Sequence, residues 1–152
     1  MKNNKGFSLV ELIIVIAIMA ILVGVMAPQL IKYIEKTNVS SDSQLCDSVK
    51  TAITTAMMDP TVINATNANI PTNSNFQAMS TIQAGAFKDA VEEILGFPIS
   101  DLENHIKSNM PGSKATGIQF AIVNATSVHV QITNSDSTGK KGKNGTNPIY
   151  VD

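Results

Sequence analysis

The sequence predicts an α+β chain: one long N-terminal helix, apolar in its first half and amphipathic in its second, packed on a small antiparallel β-sheet head. Three observations carry this expectation. Residues 7–31 read FSLVELIIVIAIMAILVGVMAPQLI, and Leu12–Ala27 holds no charge. Apolar residues then recur at helical spacing as far as Met58. Two short stretches near the other end, 117–123 and 127–133, contain the apolar–polar alternation of half-buried strands.

The averages bound the rest. A length of 152 residues gives room for one domain. Eleven basic residues face twelve acids, a net charge of −1, which argues against nucleic-acid binding by bulk charge. All eleven are Lys, so no bidentate Arg clamp for phosphate or carboxylate exists. The single cysteine, Cys46, excludes an internal disulfide framework and a Cys-based zinc site. His105 and His129 leave few options for histidine-led chemistry.

The first element is the apolar run. As a helix, Phe7–Ala27 spans roughly 32 Å, enough for a bilayer core of about 30 Å. Its β-branched content is high, but a single segment in lipid must satisfy its backbone internally, so helix wins. Lys2 and Lys5 precede the run, and Lys32 and Lys36 follow it. A secretory signal peptide cut after Ala27 would have Val25 at the −3 position but Pro28 just beyond the cut, where signal peptidase works poorly. Neither that reading nor a generic anchor explains Glu11, because a carboxylate inside an apolar run is costly unless it finds a partner.

Gly6-Phe7 followed by Ser8-Leu9-Val10-Glu11-Leu12 resembles the type IV prepilin signature: a short basic leader ending in Gly, then Phe, a Ser/Thr-Leu-Val/Ile-Glu stretch and an apolar helix. The resemblance covers Lys2 to Tyr33, a fifth of the chain, and includes Gly24 and Pro28. It implies a pilin-like fold and cleavage between Gly6 and Phe7 by a membrane-embedded prepilin peptidase, which also N-methylates the Phe7 amine. The implied mature chain, 7–152, keeps nine Lys against twelve acids. Glu11 is implied to pair with the terminal ammonium of a neighbouring subunit in a filament core. Gly24 and Pro28 form a soft point, since Pro28 has no N–H for the Gly24 carbonyl; the alternatives there are partial unwinding on assembly and a simple kink at the membrane boundary.

The helix is expected to continue in amphipathic form over 32–58. Val39, Cys46, Val49, Ile53 and Met57 form the apolar stripe, with Leu45, Ala52 and Ala56 beside it, and Ser41, Asp42, Asp47, Lys50 and Thr54 opposite. Thr37–Ser41 is a poor helix former and a candidate bend. Asp59-Pro60 ends a rod of about fifty residues, roughly 75 Å if straight. Residues 60–82 read mostly as loop. A helix is expected from Ala84 to Leu95, stopped by Gly96 and Pro98. A second, from Ser100 to Asn109, would be capped by Ser100 with Glu103 as its capping-box partner and ended by Pro111-Gly112. Gly117–Val123 and Ser127–Thr133 are strands joined by a hairpin turn at 124–126, and Pro148–Val151 is a third.

The head offers few candidate sites. Cys46 reads as a small buried residue, and His129 as a strand residue rather than a ligand. Asn134–Gly139 presents several oxygens but one carboxylate, Asp136, so calcium is not expected. Lys140, Lys141 and Lys143 are the candidate DNA contact, weighed against a solvated turn. Lacking a partner for Cys46, with Lys-only basic residues and many Asn, the chain points to a Gram-positive source. The domains expected are a 1–6 leader, a 7–31 membrane and filament-core helix, its 32–58 continuation, and a 59–152 head. The expected protein is a structural type IV pilus subunit for adhesion or twitching motility, with no catalytic residues, metal or cofactor. The alternatives are a pseudopilin of a type II secretion system and a competence pilin for DNA uptake. Expected partners are further copies and other pilins, the prepilin peptidase, the assembly platform with its ATPase, and the membrane; nucleic acid is not expected. The expected location is a single-pass membrane protein that moves into a surface filament.

Overall fold

The computed structural model describes residues 7–108, 117–124, 127–133 and 149–151. In chain order the elements are α1 (Leu9–Met58), α2 (Pro60–Ile63), β1 (Gln77–Ala78), α3 (Ala86–Leu95), β2 (Gly117–Asn124), β3 (Ser127–Thr133) and β4 (Ile149–Val151). Two 3-10 turns, Met79–Thr81 and Ile99–His105, flank α3. The result is the expected α+β arrangement of a long helix and a small antiparallel sheet. The chain divides into two compact units, with the boundary after Lys36.

In the first unit, every residue from Phe7 to Ile34 is exposed. Its helix is apolar on all sides and exposed among the described residues, the pattern of a segment built for a non-aqueous or shared environment. α1 is long and apolar enough to cross a membrane by length and composition. The helix runs unbroken through Pro28 and through the weak helix formers Thr37–Ser41.

The second unit has one core. From α1 it takes Cys46, Val49, Ala52, Ile53 and Ala56, all fully buried at spacings of three and four. Against these pack Phe87 and Val91 of α3, Leu102 of the second 3-10 turn, and the inner face of the sheet. The sheet has four strands in the order β1-β2-β3-β4, each pair antiparallel. Ile118, Phe120 and Ile122 of β2 and Val128, Val130 and Ile132 of β3 face the core, as the alternation predicts. On the other face, Gln119 and Gln131 lie opposite each other and share a 2.9 Å hydrogen bond. The expected hairpin turn at 124–126 falls partly outside the described residues, and Pro111-Gly112 wholly so.

Two local expectations are corrected and one is filled in. Residues 60–82 are mostly loop, as expected, and contain α2, β1 and a 3-10 turn. These elements are too short to show periodicity, although Asp59 before Pro60 is a helix-start pair. The Asp59 carboxylate accepts the Thr61 N–H at 2.7 Å and the Thr61 hydroxyl at 2.6 Å. The Thr61 hydroxyl, followed by its N–H, holds the Asp59 carboxyl below its ordinary pKa. Next, the helix expected over Ser100–Asn109 is a 3-10 turn, Ile99–His105, without a Ser100 cap. Its first N–H, that of Ile99, goes instead to Glu92 Oε1 at 2.9 Å, so the Ser100–Glu103 capping box has no role. Finally, α3 starts at Ala86 rather than Ala84, because residues 67–69 clamp its beginning. The N–H groups of Ala86 and Phe87 donate to the carbonyls of Asn67 and Ala68 at 3.2 and 3.1 Å. A Cβ on Gly85 would overlap the Asn67 carbonyl oxygen.

Gly85→Ala is therefore expected to destabilise the head by about 2 kcal/mol, in the range of steric substitutions at a close backbone approach. Gly24, whose Cβ would meet nothing within 4 Å, is the control: Gly24→Ala in a helix interior gains up to about 1 kcal/mol. Thermal unfolding of the two variants in detergent compares them.

Candidate functional site

The N-terminal segment is set by how α1 begins. Phe7 lies before the helix and is 87% exposed. The Ser8 carbonyl accepts the Leu12 N–H at 3.3 Å, the first helical hydrogen bond. The Ser8 N–H donates to Glu11 Oε2 at 2.8 Å. This is the return half of a capping box, in which a Glu three residues into the helix satisfies the backbone N–H of the cap residue. The Ser8-x-x-Glu11 spacing before an apolar run is a readable signal for it, whereas the resemblance implies for Glu11 an intersubunit pair. A carboxylate in the first turn also meets the positive end of the helix dipole. Gly6 lies outside the described residues, so the scissile bond has no described geometry.

Gly24 and Pro28 both sit inside α1 on exposed positions. Pro28 carries no N–H for the Gly24 carbonyl, so the helix is one hydrogen bond short there. Lys32 and Lys36 are the first cations after the apolar run and are exposed.

In the head, one residue is not where the sequence put it. The sequence pattern places Asp42 on the polar face of α1, yet it is fully buried. Its position fits the inward stripe Asp42, Cys46, Val49, Ile53, Ala56, spaced by three and four. Burial is tolerable because each carboxylate oxygen accepts a backbone N–H, from Lys107 and from Ser108, both at 2.8 Å. Asp42 thus ties α1 to the segment leaving the Ile99–His105 turn, 65 residues away in sequence.

Cys46 is fully buried, as expected. Burial, and then the negative charges of Asp42 and Asp47, push its thiol pKa up to about 12. The unfolded thiol sits near 9. The raised folded value means that this contribution to stability is complete below pH 9 and is lost as pH rises toward 12. At pH 8 the native thiolate fraction is about a thousandfold below that of the unfolded chain, so iodoacetamide should label Cys46 at least that much more slowly before denaturant than after it. Mass spectrometry of the labelled protein reads this directly.

His129 is half-buried on β3, its ring nitrogen 3.3 Å from the Ser127 hydroxyl. Among the described residues, no group of three His, Cys, Asp or Glu side chains comes together as a metal site. Asn134–Gly139 and the candidate DNA contacts Lys140, Lys141 and Lys143 lie outside the described residues.

Residues 1–27 match the family described as a prokaryotic N-terminal methylation motif. The chain is 46% identical over 55 residues to a fimbrial protein of Moraxella nonliquefaciens, covering 36% of each chain. It is 42% identical over 56 residues to the type IV major fimbrial protein FimA of Dichelobacter nodosus, covering 37% of this chain and 36% of that one. A fimbrial protein of Pseudomonas aeruginosa is 39% identical over 59 residues, covering 39% and 38%. The chain thus spans little more than a third of the length of the curated relatives it matches. No solved structure matches it.

Proposed function

We propose that this chain is a structural subunit of a type IV pilus, made as a prepilin and assembled through its N-terminal helix. One observation carries the reading: the methylation motif over residues 1–27 leads straight into a helix whose apolar first half, to Ile34, is exposed among the described residues. Fimbrial relatives favour the pilus over a secretion pseudopilin or a competence pilin.

In this reading residues 1–6 are a leader removed between Gly6 and Phe7 by a prepilin peptidase, which then methylates the Phe7 amine. Residues 7–31 hold the subunit in the membrane as a single span, with Lys2 and Lys5 on the cytoplasmic side. Residues 32–58 join that span to the 59–152 head. An assembly platform and its ATPase lift the subunit out of the membrane into a filament of further copies on the cell surface. Lipid contacts are exchanged there for contacts with other apolar helices, so leaving the bilayer costs little net burial. Gly24 and Pro28, one hydrogen bond short, let the helix adjust on that transfer. Glu11 sets the register by pairing with a neighbour's ammonium. The role is structural, with no reaction and no cofactor, and the filament serves adhesion or twitching motility.

Mass spectrometry of the protein recovered from cells tests the reading. A start at N-methylated Phe7 is expected. An intact Met1, or a start at Pro28, overturns it.

A further inference from the structure

We infer that a groove on the head, between α1 and the end of α3, receives Lys32 and Lys36 of another copy of this chain. An open cleft of about 430 Å³ lies there, in the size range that buries a partner group. Leu45, Ile94, Leu95 and Phe97 supply its apolar lining. None of the four is fully buried, and Ile94 is 45% exposed, so an occupant would remove apolar area from solvent. Asp47, Ser48 and Thr51 supply the polar lining. The Ser48 hydroxyl donates to the Gln44 carbonyl at 2.9 Å, and the Thr51 hydroxyl to the Asp47 carbonyl at 2.8 Å. Each hydroxyl has one proton, so both offer the groove only lone pairs. Asp47 is exposed and in no ion pair among the described residues. The polar lining therefore only accepts. Apolar surface beside acceptors fits a lysine, with its stem on the one and its ammonium on the other. The surroundings attract a cation as well, since residues 37–108 hold eight acids against three Lys.

Among the described lysines, two carry the matching chemistry. Lys88 is 3.6 Å from Glu92 on its own helix, and Lys50 is half-buried. Lys107 is exposed but stands between half-buried Ile106 and buried Ser108, which leaves it little apolar surface to offer. Lys32 and Lys36 are exposed, and so are Ile31, Tyr33 and Ile34 beside them. That stretch brings cations and apolar area together. It cannot serve the groove of its own chain: side chains on one helix meet at three or four residues apart, and both lysines precede Asp47 on α1 by about three turns or more. Each copy thus gives its lysines to one neighbour and its groove to another, a head-to-tail contact of the kind that builds open filaments. Its place in a pilus rests on the reading above; the contact itself does not.

The test uses the full chain, in sheared filaments where they form and otherwise in detergent micelles. A carbodiimide condenses a carboxylate with a touching amine into an amide and itself takes up the water lost. Mass spectrometry of bands holding two or more copies is expected to find Asp47 joined to Lys32 or Lys36, and Asp47→Asn is expected to lose that product. In cells, Asp47→Lys is expected to lower filament yield about tenfold, because like charges then face each other. Adding Lys32→Asp or Lys36→Asp, whichever the cross-link names, should bring the yield back to within about threefold, which a folding defect at Asp47 would not allow. Asp47 joined instead to Lys50, Lys107 or the lysines at 140, 141 and 143 overturns the proposal, as does no Asp47 product or a charge swap that restores nothing. A chain that forms no filaments removes the pilus reading, while the micelle cross-link still decides the contact: Asp47 joined to Lys32 or Lys36 upholds it, and its absence overturns it.

Discussion

Asp42→Ala is expected to destabilise the head by about 3 kcal/mol, the range measured when a charged acceptor is taken from buried donors. The substitution removes no large apolar volume. Its cost lies in the donors left behind: the Lys107 and Ser108 N–H groups, each at 2.8 Å from a carboxylate oxygen, lose their acceptors. Ser108 is itself buried, and its hydroxyl has no hydrogen-bond partner among the described residues, so water has little access to compensate. Asp42→Asn should cost nearly as much. An amide offers one acceptor oxygen and turns its NH2 toward the second N–H, so one donor is orphaned and faces another donor. Asp47 on the same helix is exposed, and Asp47→Ala should stay within about 0.5 kcal/mol. Circular dichroism during thermal unfolding of the full chain in detergent compares them. A drop of roughly 10–20 °C is expected for Asp42→Ala if the head unfolds as one unit of about a hundred residues. Equal midpoints for the Asp42 and Asp47 variants would leave the clasp without energetic weight.

What the sequence reveals about this fold follows the physical range of each signal. The fifty residues of α1 are legible because periodicity accumulates over many turns, and the β2–β3 pair because Val128, Val130 and Ile132 alternate with polar residues. β1 is not legible. It is two residues long, and only the pairing of Gln77 with Phe120 and of Ala78 with Gln119 makes it a strand. The turn at Ile99–His105 misleads for a related reason: Ser100 and Glu103 have cap spacing, but Glu92 of α3 reaches the Ile99 N–H, and that contact exists only after folding. Asp42 misleads most. A carboxylate in an amphipathic helix is read as solvated, and nothing local says that two N–H groups 65 and 66 residues away will take its oxygens. Its phase with Cys46 and Val49 was the available warning. At the N-terminus the opposite holds, since Ser8 and Glu11 are three apart and their contact is local. The Ser-x-x-Glu spacing contains it, although the cost of an acid in an apolar run points equally to a partner outside the chain.

Glu11→Ala is expected to leave membrane insertion and leader cleavage intact while reducing filaments by about a hundredfold. Insertion should improve slightly. A carboxylate near the end of a membrane helix is costly, by less than the roughly 2.5–3.5 kcal/mol of a helix centre, and alanine removes that cost. Assembly responds in the other direction. Breaking a desolvated ion pair by deleting one partner leaves the other charge buried alone, a loss of about 3–5 kcal/mol. Each added subunit of the variant would bury one unmatched Phe7 ammonium. At 1.4 kcal/mol per factor of ten, even the lower figure is about a hundredfold in the equilibrium for adding a subunit. On the proposed pilus reading the apolar helix cannot make up the difference, because it would gain similar contacts in lipid and in a bundle, and the contact that would discriminate between the two environments is the charged one. Carbonate-washed membranes, mass spectrometry of the N-terminus and sheared-filament yield measure the three steps separately. Normal filament yield from cleaved Glu11→Ala subunits would show that register is set by shape alone.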